Sequence, residues 1–111
     1  MDELPVFVDW MQFLDWFLPV TNKFPKSIRF TFSDRMQNLA LDIVEDLVEA
    51  RYTKNKKSIL KRTNLRLEKL RILIRLSYQQ KYIAHKQYEH ANRAIYNVGK
   101  QIGGWMKQAN A

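Results

Sequence analysis

The side chains of this 111-residue sequence with most chemistry to offer are its 19 lysines and arginines, and that chemistry is electrostatic. Lys86, His90, Arg93, Asn97, Lys100 and Lys107 are spaced 4, 3, 4, 3 and 7, so on a helix they form one ridge. Lys57, Lys61, Arg71 and Arg75 share another helical side, and Arg62, Arg66 and Lys69 a third. Cations fixed on rigid helices neutralise phosphates and release condensed counterions, giving affinity that falls steeply with salt. The candidate nucleic-acid-binding residues are therefore Lys57, Lys61, Arg62, Arg66, Lys86, His90, Arg93 and Lys100. No recognition-helix or ribonucleoprotein motif accompanies them, so the expectation is binding with little sequence preference, structured RNA or RNA–DNA hybrids being favoured by shape. The plain alternative is charge that merely solubilises a helical surface.

The charge is unevenly placed. Residues 1–50 hold 4 Lys/Arg against 9 Asp/Glu, and residues 51–111 hold 15 against 2, so halves of −5 and +13 give the net +8. Such a surplus attracts polyanions. Catalytic constellations are missing from the spacing. His85 and His90 are five apart and diverge on a helix, and with Glu89 they match no zinc motif. Asp42, Glu45, Asp46 and Glu49 read as a solvated acidic face. Ser27, Ser33, Ser58 and Ser77 have no paired base in a known spacing, and no glycine-rich phosphate loop occurs. With no cysteine there is neither a disulfide nor a thiolate metal site. No enzyme activity, cofactor or metal is expected. Met1-Asp2-Glu3 is acidic where a signal peptide needs a basic region, and the apolar stretch Val6–Leu18 is too short and too charged to span a bilayer. A cytoplasmic protein that does not enter the membrane is the expectation.

The elements that must position these cations are helices. Pro5 and Pro19 bracket a first helix over Val6–Leu18, followed by a connector from Asn22 to Arg29. The pattern predicts a second helix over Thr31–Tyr52, capped by Thr31 or Ser33, with Asp34 at the positive end of its dipole. A turn at Thr53–Lys57 leads to a third helix, Ser58–Tyr82, capped by Ser58 or Asn55. A break at Ile83-Ala84-His85 leads to a fourth, Lys86–Gln108, whose Gly103-Gly104 pair lowers helix propensity and is expected to fray its end. Short connections between long helices imply one domain, an all-α antiparallel up-and-down four-helix bundle.

Each helix carries a seam for that core. Met36, Ala40, Ile43, Leu47 and Ala50 serve the second helix, Leu60, Thr63, Leu67, Leu70, Ile74 and Ser77 the third, and Tyr88, Ala91, Ile95, Val98, Ile102 and Trp105 the fourth. The first helix is apolar on most sides, with a polar edge of Asp9, Gln12 and Asp15, and is expected to be buried on most sides, partly against a second subunit. Its rival role, an aromatic platform for bases, is the less economical one. The third helix has a surplus. Leu65, Ile72 and Leu76 lie nearly opposite its seam, where a lone bundle cannot bury them. Burying one Leu or Ile is worth roughly 1.5–3 kcal/mol, and exposed apolar patches mark interfaces, so these three are the expected oligomer contact. The acidic side of the second helix is expected to pair with basic flanks of the third, in its own or a neighbouring subunit.

Several strings resemble a known family. Phe24-Pro25-Lys26-Ser27-Ile28-Arg29-Phe30-Thr31-Phe32-Ser33-Asp34-Arg35 resembles the Phe-Pro-(Arg/Lys)-Ser-x-Arg-Phe-(Thr/Val) block of the accessory variability determinants, the small helical accessory proteins of diversity-generating retroelements. The likeness continues in Asn38–Asp42, Asn64–Arg71, Gln87–Ala91 and Gly103-Gly104-Trp105, in the family's order. Ile28 and Ser33 depart from the Gln and Gly common there, both in the connector. The resemblance implies a four-helix bundle assembling as a ring-like homopentamer with a positive surface. It also implies binding of DNA and RNA, and association with the element's reverse transcriptase during error-prone reverse transcription. Two other readings stand beside it. One is a four-helix protein of the kind encoded in ribosomal RNA intervening sequences; the other is a scaffold whose basic surface docks an acidic protein.

Overall fold

In the computed structural model, residues 3–110 form four long α-helices joined by tight corners; Met1 and Asp2 of the acidic N-terminus lie outside the described residues. The helices are α1 (Pro5–Asn22), α2 (Asp34–Tyr52), α3 (Lys56–Gln79) and α4 (His85–Asn110). Sequence neighbours pack side by side and α4 closes back onto α1, a bundle of 45 × 25 × 23 Å. The all-α bundle read from the spacing is therefore the architecture found. The seams of α2 and α3 are buried throughout, and on α4 Ala91, Ile95, Val98 and Ile102 are buried with Tyr88 and Trp105 half-buried at the ends. Trp10, Phe13, Leu14 and Phe17 of α1 enter the same core. The Trp10 indole donates to the Ala40 carbonyl at 3.0 Å, so its one polar atom is satisfied inside the bundle.

The helix ends differ from expectation for identifiable reasons. Pro19 does not end α1, which continues to Asn22. Pro19 removes one donor to the Asp15 carbonyl, but both residues are exposed, so water can serve that carbonyl. Beyond it the chain is held by side chains. Thr21 Oγ1 donates to the Leu18 carbonyl, Ser33 Oγ to the Thr21 carbonyl at 2.9 Å, and Gln37 Nε2 to both Thr21 Oγ1 and Asn22 Oδ1. Ser33 and Thr31 are therefore not caps of α2. A 3₁₀ turn (Lys26–Ile28) and a π-helical turn (Arg29–Ser33) lead directly into it, and Asp34 does lie in its first turn. Buried Phe24 and half-buried Phe32 pack their rings on Tyr82, which pins this corner to the far end of α3.

Neither Asn55 nor Ser58 caps α3, which begins at Lys56 without a side-chain cap. Lys56 Nζ instead donates to the carbonyls of Ala50 (2.7 Å), Arg51 (3.1 Å) and Thr53 (3.0 Å), satisfying the end of α2 with a charge suited to its dipole. At the other end α3 stops at Gln79, three residues early, in a Schellman turn. Tyr82 N–H reaches the Ser77 carbonyl at 2.8 Å and Lys81 N–H the Tyr78 carbonyl at 2.9 Å. The Gln87 side chain accepts from Ala84 N–H at 2.8 Å, half of a capping box, and starts α4 one residue early. Gly103 and Gly104 do not fray α4, because Trp105 and Met106 just beyond them pack on the core.

Among the described residues only Lys81 holds a positive φ (65°) without being glycine. A side chain there is strained by about 1–2 kcal/mol, partly offset by the entropy a glycine would lose on folding. Lys81→Gly is expected to stabilise the bundle by roughly 0.5–1 kcal/mol, seen as a rise of a few degrees in the thermal midpoint; an unchanged or lower midpoint would contradict this account of the corner.

Candidate nucleic-acid interface

The sides of α3 have different fates, and Asp46 decides one of them. This carboxylate lies beside the α2 seam and is only 2% exposed. Its Oδ1 accepts from Arg62 Nε (3.1 Å), Arg62 Nη2 (2.8 Å) and Arg66 Nη1, and its Oδ2 from Thr63 Oγ1 (3.2 Å). Arg62 also reaches Glu49 at 2.8 Å. These bonds, the one to Asp46 above all, hold the Arg62 guanidinium above its already high ordinary basicity. The ion pairs form within one chain. Arg62 and Arg66 thus point to α2, and a polyanion approaching them meets cations whose charge is already answered.

The opposite flank of α3 is open. Lys57, Lys61, Asn64, Glu68, Arg71 and Arg75 recur at spacings of 4, 3, 4, 3 and 4, and Asn64, Glu68 and Arg71 line a groove with Tyr96, Gly99 and Lys100 of α4. Lys57, Lys61, Arg75 and Lys100 are exposed. The one acid in this row, Glu68, receives Arg71 Nε at 2.9 Å, and that hydrogen bond holds its carboxyl below the ordinary carboxylate range. The row therefore keeps a net positive charge.

On α4 the ridge divides by chemistry. Two of its members, Asn97 and His90, help dock the helix onto α1, with Gln101 beside them. Asn97 and Gln101 donate to Asp9 at 2.9 and 2.7 Å, and the His90 ring meets Trp16 edge-on, 4.3 Å between centroids. Lys86, Arg93, Lys100 and Lys107 stay exposed. Lys86, His90 and Arg93 come together around a shallow depression with Trp16 and Glu89, and Lys100 lies farther along, in the groove with Asn64, Glu68 and Arg71 of the α3 row. His85 has partners of its own. Its Nδ1 lies 3.1 Å from the Tyr78 hydroxyl and its Nε2 2.6 Å from Glu89, tying the end of α3 to the first turn of α4. Among the described residues no group of three or more His, Asp or Glu could hold a metal ion. No described helix is long and apolar enough to cross a membrane.

Two features escaped the spacing argument. Asp46 reads as one of four acids on a solvated face, and its position next to Ile43, Leu47 and Ala50 was the available signal that it is buried. Tyr96 sits among polar residues, belongs to no seam, and is 68% exposed. The apolar surplus is larger than expected. Leu65 is 56% exposed and Ile72 is also open, whereas Leu76 is half-buried yet does not join the core. Met11 of α1 and Leu41, Val48 and Tyr52 of α2 are exposed as well. Phe30, in the π-helical turn, is the most exposed aromatic at 86%.

Removing Asp46 would strand two guanidiniums at the α2–α3 seam. Asp46→Ala is expected to cost about 2–3 kcal/mol, below the full price of a buried pair because the arginines are partly solvated, and to raise RNA affinity by freeing Arg62 and Arg66. Chemical unfolding and an RNA titration check both; unchanged stability would mean that the carboxylate is not the clamp described.

A family model described as bAvd-like matches residues 8–109, all but the two ends of the chain. No curated protein matches it. The segments that carry the sequence resemblance, from Phe24 to Trp105, fall inside the matched range and include most of the α1–α2 corner, the middle of the α3 row and a late turn of α4. The chain belongs to the bAvd-like family, and so to the accessory proteins of diversity-generating retroelements.

Proposed function

We propose that this protein is a non-catalytic accessory subunit of a diversity-generating retroelement. In this reading it binds RNA and DNA through phosphates and associates with the element's reverse transcriptase in the cytoplasm to support mutagenic reverse transcription. The observation that carries the reading is the segregation of cations. Lys57, Lys61, Lys86, Arg93 and Lys100 are exposed on α3 and α4, while much of the acid, Asp9, Asp46, Glu49 and Glu68, is already engaged by partners within the chain. The field that results favours a polyanion and carries no base code. Arg62 and Arg66 contribute less in this reading, since Asp46 holds them.

Assembly is part of the same proposal. A cyclic ring needs two different, complementary patches on each subunit, because its contacts run head to tail. The chain offers two. Leu65 and Ile72, with half-buried Leu76, form one on α3, and exposed Leu41, Val48 and Tyr52 recur at spacings of 7 and 4 to form another on α2. Two patches on different helices suit a ring, and the pentamer is what the resemblance implies.

Reversing Lys86, Arg93 and Lys100 to Glu is expected to abolish RNA and DNA binding at physiological salt while leaving the fold intact. The wild-type affinity should fall linearly with salt on a logarithmic scale, with a slope of about 0.7–0.9 per phosphate contact. Capture of the element's reverse transcriptase with its template RNA supports the accessory role; absence of any complex in dilute buffer removes it. Retroelement activity that survives the triple reversal would favour a scaffold for an acidic protein. Leu65→Asp with Ile72→Asp is expected to reduce the particle to monomers by light scattering with helicity retained. An unchanged mass would take these residues out of the interface.

A further inference from the structure

We propose that Tyr96 is a stacking platform for an unpaired base, so that the α3–α4 groove takes single-stranded in preference to duplex nucleic acid. The inference rests on the reading of the basic face as a nucleic-acid surface, and it replaces the preference for structured duplexes expected from spacing with one for unpaired strands.

Tyr96 is an anomaly on its helix. It is 68% exposed, contributes to no seam, and sits between Arg93 and Lys100 at spacings of 3 and 4, so the order along one side of α4 is cation, aromatic, cation. Lys100 Nζ lies 5.0 Å from its ring centroid, a cation–π contact that steadies the ring while most of its surface stays open. Beside it runs a groove of about 380 Å³ between α3 and α4. Gly99 contributes no side chain to this groove, and a Cβ there would come into contact with Leu67 Cδ2 at 3.5 Å. The floor is apolar, from Leu67 and Ile95, and Asn64 offers an amide at the rim. Glu68 is the one group that would repel a phosphate, and Arg71 already holds its carboxylate.

Every base has a π-face, so an aromatic on a cationic groove binds single strands without reading sequence. A duplex keeps its bases stacked on one another and can offer this site only phosphates. Tyr96 thus adds affinity that the cations cannot, and adds it only where a base is free. A base seated on the open face of the ring would lie next to Lys100, which is then placed to meet the adjoining phosphate.

The test separates base from backbone. The full-length protein is titrated by fluorescence anisotropy with three labelled probes of equal length: an oligouridylate, an abasic strand with the same phosphates, and a duplex. The wild type is expected to bind the oligouridylate on the order of tenfold tighter than the abasic strand. Tyr96→Ala should erase that preference without changing abasic or duplex affinity, Tyr96→Phe should keep it, and Lys100→Glu should weaken all three probes. Tyr96 is exposed, so a thermal melt of Tyr96→Ala should match the wild type. Binding of every probe with a base-to-abasic ratio that Tyr96→Ala leaves unchanged overturns the stacking site and leaves the nucleic-acid reading standing. A wild type that binds none of the probes in dilute buffer overturns both.

Discussion

Asp46 and the two arginines it holds constrain more of this molecule than any other polar contact. A carboxylate that is 2% exposed needs hydrogen-bond donors, and Arg62, Thr63 and Arg66 supply them from adjacent positions on α3. An isolated buried charge would cost several kcal/mol, so α2 and α3 can pack in essentially one register, the one that brings these donors to Asp46. The seams on either side, Ile43 and Leu47 against Leu60, Thr63 and Leu67, would tolerate a slide by one turn far better than this cluster would. The apolar core sets that the helices associate, and the ion cluster sets where.

The same cluster sorts the cations. Arg62 and Arg66 carry the same charge as Lys57 and Lys61, and one helix carries all four. What separates them is which neighbouring helix holds acid. α2 presents Asp46 and Glu49 toward one flank of α3, whereas the facing side of α4 presents an aromatic, a glycine and a lysine around the groove. Charge on one flank is consumed inside the subunit, and charge on the other remains for a partner. A net charge of +8 therefore understates the asymmetry of the surface, because the neutralised portion is concentrated on one side.

The legible and illegible parts of the sequence follow from the range of the forces involved. Seams such as Ala91, Ile95, Val98 and Ile102 repeat every three or four residues, and a repeated local signal survives without tertiary knowledge. Helix ends do not repeat. Ser33 has the chemistry of a cap, but its hydroxyl is drawn to the Thr21 carbonyl twelve residues away. Pro19 has the chemistry of a stop, but solvent at Asp15 and a brace from Gln37 make it harmless. Lys56 has the chemistry of a surface cation, yet it terminates the preceding helix. In each case a contact that the local rule does not encode decided the outcome. For the candidate interface the same limit applied. The spacing gave the sides of each helix, but which side faced acid, and so which cations stayed free, was a matter of packing. An aromatic at a polar position, as Tyr96 is, has no meaning until the groove beside it is known.

Seen from α3, the whole arrangement has one logic. Its inward stripe from Ile59 to Ser77 builds the core. One flank locks onto Asp46, the other lines the groove with α4, and the outermost strip of Leu65 and Ile72 stays apolar. A helix used on all four sides cannot show a clean division into oily and charged halves, which is why its pattern looked conflicted in isolation. The conflict disappears only if the outer strip also has something to cover it. A monomer would leave that strip in water next to the cations that solvate best, whereas the proposed ring of subunits would bury it and set many copies of the α4 ridge and the α3 row on one particle. Multiplying weak phosphate contacts in this way gives strong binding from sites that are individually loose.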